Sequence, residues 1–195
     1  MRISINFKIL SMILAPVAFV LLGIAIFQSI MISEKDKTIE ATYGQALSDF
    51  SSDHSSSADD LFEKNIDIVQ LHKLINIERE KVGKPMLEYN EKIAESACLK
   101  ADDMVKRNYW SHNTPDGDEP WVFFQRAGVQ YSKAGENLAY GFVDPTAVVA
   151  GWMVSEKHKE NILGDYTAEG LCARKAFEFN GSSKQIVVVQ HFAKQ

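Results

Sequence analysis

Residues 170–192 read Gly-Leu-Cys-Ala-Arg-Lys-Ala-Phe-Glu-Phe-Asn-Gly-Ser-Ser-Lys-Gln-Ile-Val-Val-Val-Gln-His-Phe, and they decide the fold class. Asn180-Gly181 is a two-residue hairpin signal, because the favoured hairpin turn needs positive φ at both central positions. The pattern predicts a strand on each side, at 170–179 and 184–192. Ile186-Val187-Val188-Val189 is apolar at consecutive positions. Consecutive strand residues face opposite sides of a sheet, so this strand is expected to be central and covered on both faces. His191 shares a face with Val187 and Val189 and reads as a packed, hydrogen-bonded imidazole.

The chain before this hairpin reads as helices. A first, imperfect apolar stripe runs from Asp67 to Lys81 and closes at Val82-Gly83-Lys84-Pro85. His72 lies within it and reads as a surface side chain. A second helix starts at Asn90 as N-cap, repeats Ile93, Ala94, Ala97, Cys98, Ala101, Met104 and Val105 at helical spacing, and ends on Lys106-Arg107. A short third helix lies between Pro120 and Gly128. Asp144-Pro145 opens a fourth, and Ser155 is placed to cap a further turn that holds His158 in its first residues.

Three clusters between these elements carry the chemistry: Ser111-His112-Asn113-Thr114-Pro115-Asp116-Gly117, Gly135-Glu136-Asn137-Leu138-Ala139, and Trp152 through Ile162. Glu136 stands among small and apolar residues, where a carboxylate needs a partner. That partner is a backbone amide or Arg126 if the role is structural, and an imidazole or a metal ion if it is functional. His54, in a polar run, is given no role.

The rest of the chain bounds the setting. Its 195 residues are 46% apolar and 24% charged, enough for one medium domain and an appendage. The formal charge of −5, with no basic patch, excludes nucleic acid as partner. Residues 9–32 carry no charge and are long enough to cross a bilayer, so residues 1–8 are expected in the cytoplasm, 9–32 as a retained transmembrane anchor and 33–65 as a polar stalk. Residues 66–195 are then an extracytoplasmic domain on a single-pass cell-membrane protein. Cys98 and Cys172 form no zinc-type spacing; they are either buried thiols or one bridge.

Taken in order, Leu74 through Arg79, Met104 through His112, Asp116-Gly117, Ala127-Gly128, Gly135 through Gly141, Trp152-Met153 with Ser155 and His158, Asn161-Ile162-Leu163 and Val189 through Phe192 resemble the CAP superfamily. This is the group of cysteine-rich secretory, antigen 5 and pathogenesis-related proteins, here in its bacterial SCP-like form, over about residues 68 to 194. The resemblance implies an α+β fold, a three-layer α-β-α sandwich with a central antiparallel sheet, and a cleft lined by two His and two acids. By position these are His112, His158 and Glu136, with Glu156 nearest to the second acid. Glu169 departs by one residue from the acid that bacterial relatives place after the Thr.

Two functions follow from the resemblance. One is a binding module whose cleft holds a divalent cation, Zn²⁺ on His112 and His158, and a lipid or peptide. The other is a metal-assisted, peptidase-like hydrolase with Glu136 as general base. No HExxH motif and no Ser or Cys nucleophile beside a base supports the second, and no catalytic residue is assigned outside it. The oligomeric state is left open.

Overall fold

The computed structural model describes Phe62 and residues 64–195. The anchor expected at 9–32 and nearly all of the stalk expected at 33–65 lie outside the described residues. Among the described residues no helix is long and apolar enough to cross a membrane. Phe62 is buried, its ring edge-on to Phe177 at 5.7 Å, so packing extends upstream of residue 66.

The described chain is a mixed α/β fold with one four-stranded sheet. In order it forms α1 (Ile68–Lys81), β1 (Glu88–Tyr89), α2 (Glu91–Arg107), α3 (Trp121–Arg126), β2 (Lys133–Tyr140), α4 (Pro145–Val154), α5 (Glu156–Ile162), β3 (Ala168–Phe179) and β4 (Ser182–Lys194). The strand order is β1-β3-β4-β2, antiparallel except for the short β1, which runs parallel to β3. The sheet thus has two more strands than the sequence pattern indicates.

The N-caps expected at Asn90 and Asp144 are found, and Asp67 caps α1 as well. Asp67 Oδ1 accepts from the amides of Val69 and Gln70, Asn90 Oδ1 from Lys92 and Ile93, and Asp144 Oδ1 from Ala147. Ser155 occupies the N-cap position of α5, but its side chain makes no capping bond. Asn180 and Gly181 take φ of 49° and 76°, the left-handed pair that a tight hairpin needs. Asn180 N–H also donates to Asn108 Oδ1 at 2.8 Å, which ties the turn to the end of α2.

Ile186 through Val189 are essentially inaccessible to water, as expected of a strand flanked by β3 and β2. On one face, Val187 and Val189 pack with Leu138, Cys172 and the Ala97, Ala101 and Met104 stripe of α2. That stripe is small because the helix lies nearly on the strand. A Cβ added at Gly170 would overlap the backbone of Ile93 and Ala94. Cys98 and Cys172 are joined as a disulfide across this contact, with Cα atoms 5.0 Å apart.

Below the sheet ends, Arg79 is buried and donates to the carbonyls of Pro85, Ile162, Gly164 and Tyr166 at 2.8, 2.7, 2.9 and 3.4 Å. One planar guanidinium therefore satisfies the last carbonyl of α5 and the turn that follows it. Asn76 does the same for Leu87, accepting from its N–H and donating to its carbonyl.

Candidate functional site

Glu136 is the hub. Register places it directly opposite His191, β2 against β4. One carboxylate oxygen meets His191 Nε2 at 2.9 Å and the other meets His112 Nδ1 at 2.6 Å. Glu136 is 5% exposed and His191 0%, while the His112 side chain, on the loop after α2, is 56% exposed. Of the partners foreseen for Glu136, the imidazole is the one found. Arg126 instead lies over the Phe123 ring, 5.2 Å from its centroid.

Burial alone would push the Glu136 carboxyl up. The hydrogen bonds from His112 and His191 and the charge of Lys100 more than offset it, so Glu136 lies below its ordinary value. Burial pushes His191 down despite the carboxylate. With Glu136 ionised, both imidazoles donate to it: His112 through Nδ1–H and His191 through Nε2–H. The bond to Glu136 occupies Nδ1 of His112 and leaves Nε2 without a partner among the described residues.

Lys100 holds the loop that carries His112. It is 0% exposed, and its ammonium donates to His112 O at 2.6 Å, Ser111 O at 2.8 Å and the Tyr109 hydroxyl at 3.2 Å. Three donors meet three acceptors, which is how a buried ammonium stays tolerable. Tyr109 in turn donates to Asp103 at 2.8 Å. Burial pushes the Lys100 pKa down, and Glu136 and Asp103 oppose the shift.

His158 is half-buried in α5. Burial lowers its pKa and the charge of His112 lowers it further. Its carbonyl accepts from Asn137 Nδ2 at 3.2 Å, which fixes α5 against β2. Glu156, in the first turn of α5, is exposed and stands outside the hydrogen-bond network of the described residues.

A second His–Glu pair escaped sequence reasoning. Glu169, fully buried on β3, meets His72 Nδ1 at 2.6 Å and accepts from Gln190 Nε2 at 2.5 Å. Gln190 Oε1 accepts from Asn137, whose Oδ1 accepts from Asn161 Nδ2, which also donates to the Glu136 carbonyl at 3.0 Å. His72 is therefore a buried-acid partner and not a plain surface histidine. Residues 136 and 191 serve the network beside α2, and 137 and 190 serve this one on the other face.

A zinc ion would find few ligands here. Both Glu136 oxygens are engaged by imidazole nitrogens, which leaves His112 Nε2 and His158 as donors, whereas zinc sites draw three or four ligands from the protein. Among the described residues no group of three or more His, Cys, Asp or Glu side chains is arranged to hold a metal ion. These residues do not fit a resident Zn²⁺. With both Glu136 oxygens engaged, the ring nitrogen left without a partner among the described residues is Nε2 of His112.

Residues 72–192, more than half of the chain, match the family described as CAP, the cysteine-rich secretory protein family. The chain belongs to this family. It is 41% identical over 91 residues to YkwD of Bacillus subtilis (strain 168), covering 47% of this chain and 35% of that protein. It is 37% identical over 103 residues to the membrane protein YlbC of the same organism, covering 52% and 30%. The chain thus spans about a third of the length of these curated relatives.

Among solved structures, an extracellular protein containing an SCP domain from Bacillus anthracis str. Ames matches with a TM-score of 0.55 at 30% identity, over 65% of this chain and 39% of that one. An outer surface protein of Borrelia burgdorferi matches with 0.56 at 21% identity, over 66% and 92%, a likeness of fold alone. The extracellular and membrane relatives fit an extracytoplasmic domain.

Proposed function

We propose that this CAP domain is an extracytoplasmic binding module, carried on an anchor at 9–32 and a spacer at 33–65, whose cleft around His112, Glu136 and His158 takes a lipid or peptide ligand without turnover. The observation that supports it is the state of His112. A buried carboxylate holds Nδ1 while the ring stays largely exposed, so the ring is fixed in place with Nε2 as its unengaged nitrogen. The three-layer α-β-α arrangement is supported by α2 bonding His191 on one face and α1 and α5 reaching Glu169 and Asn137 on the other. The disulfide suits an oxidising compartment.

A second reading is kept for the same reason. A His braced by a buried carboxylate is also a general base, so hydrolysis would run through His112 Nε2 activating water, with Glu136 orienting the ring. Selection of a peptide library on the full chain, repeated with His112→Ala, tests the first reading. Ligands that lose at least about tenfold in affinity with the fold retained support it; ligands that bind the variant equally well sink it. Cleavage of library members abolished by His112→Ala would favour the hydrolase, and Zn²⁺ uptake lost in both His112→Ala and His158→Ala would restore a metal.

A further inference from the structure

The loop that begins at His112 continues through Asp118-Glu119 into α3, and there it borders an open groove of about 490 Å³ lined by Asp118, Glu119, Trp121, Gln125, Gln130 and Tyr131. The nearly buried side chain of Val129 also lines it. Its charged residues are both acids; no Lys, Arg or His lines it. The backbones of these acids are used, Asp118 O by Thr114 N–H, Asp118 N–H by Thr114 Oγ1, and Glu119 O by Val122 N–H. Their carboxylates have no partner among the described residues, and neither do the indole N–H of Trp121, the side-chain amides of Gln125 and Gln130, or the Tyr131 hydroxyl.

The aromatic walls are braced. Trp121 and Tyr131 each meet Phe124 edge-on, at 5.6 and 5.1 Å, and Phe124 is fully buried and stacks on His191 at 4.6 Å. Two rings so held supply contact area at little entropic cost. Two unpaired carboxylates beside them make the groove attractive to a cation and repellent to an anion.

We propose that this groove binds an Arg or Lys side chain of a cationic peptide segment from a partner protein. The head group donates charge-assisted hydrogen bonds to Asp118 and Glu119, its stem or plane lies against Trp121 and Tyr131, and the amides of Gln125 and Gln130 serve the peptide backbone. A hydrated metal cation would gain little from the rings, because its water shell keeps it off their faces. A neutral sugar would use the rings and amides but leave both carboxylates without a counter-charge. The site is separate from the His112 cleft and does not rest on its proposed role.

The test uses ¹⁵N-labelled full chain in a nonionic detergent, following the indole N–H signal that Trp121→Phe removes. Acetyl-Arg-Arg-Arg-amide is expected to shift that signal saturably, and acetyl-Gln-Gln-Gln-amide is not. The double variant Asp118→Asn/Glu119→Gln weakens binding at least about tenfold, while Glu160→Gln/Glu178→Gln, which removes the same charge elsewhere, changes it less than about twofold. Equal weakening by the two double variants would show attraction to net charge only and overturn the proposal. So would tighter binding of chitotriose or of the glutamine peptide, or no saturable shift of Trp121.

Discussion

Glu136 and His191 face each other across adjacent strands, with Oε2 2.9 Å from Nε2 and both side chains shut off from water. The exposed imidazole, His112, is thus attached to a carboxylate that is itself pinned inside the sheet. Glu136→Gln keeps the shape but removes the charge that both imidazoles and Lys100 are arranged around. Breaking a buried charge cluster by deleting one member costs about 3–5 kcal/mol. Urea unfolding is expected to show a loss at the lower end of that range, and the His112 Nδ1–H signal to move as its acceptor weakens.

Acid should undo the same cluster, and the sign follows from each group. Glu136 is held below its ordinary value of 4.5, so the stability it contributes is present above that value and is lost as pH falls through its folded pKa. His191 and His158 are held below 6.5, so the unfolded chain takes up their protons first. Stability is expected to start falling as pH drops through about 6.5 and to fall further below about 4.5. Thermal melts from pH 8 to 4 check this, with His191→Gln flattening the upper part of the curve. A melting temperature unchanged from pH 7 to 5 would contradict the burial of neutral His191.

Lys100→Met retains the apolar stem but strands the carbonyls of Ser111 and His112 and removes a counter-charge from Glu136. Unsatisfied buried acceptors cost about 1–3 kcal/mol each, and these two carbonyls are only partly buried, so a loss toward the lower end of the combined range, about 2–4 kcal/mol, is expected. Because Lys100 and Glu136 stabilise one another, the variant that also carries Glu136→Gln should lose less than the two single losses added together. The double-mutant cycle measures that shortfall, expected at about 1 kcal/mol or more.

How much of this was legible in sequence depends on how far apart the partners lie. The hairpin and its central strand could be read because Asn180-Gly181 and Ile186–Val189 encode turn and burial locally. β2 could not, since Lys-Ala-Gly-Glu-Asn-Leu-Ala-Tyr has no alternation: Gly135 through Ala139 are all buried, one after another, because both faces are covered. His191 was recognisable as packed, but its partner comes from a strand 55 residues away. The pairing of His72 with Glu169 spans 97 residues and leaves no local trace. Lys100 did leave one: it interrupts the small apolar stripe of α2 between Ala97 and Ala101, and a charge on that face needs acceptors.

Cys98 lies on α2 and Cys172 on β3, 74 residues apart, with Gly170 letting the helix backbone approach the strand two residues earlier. Closing a loop of that length removes denatured-state entropy worth about 4 kcal/mol in the chain-entropy model, and measured bridges often give about 2–4. The packing of Ala97, Ala101 and Val189 around the contact does not depend on the sulfur bond. Reduction, or Cys98→Ala/Cys172→Ala, is therefore expected to lower unfolding stability by about 2–4 kcal/mol while leaving the native circular dichroism spectrum unchanged at 25 °C. Loss of that spectrum on reduction would mean that α2 is held to the sheet by the bridge and not by its small-residue face.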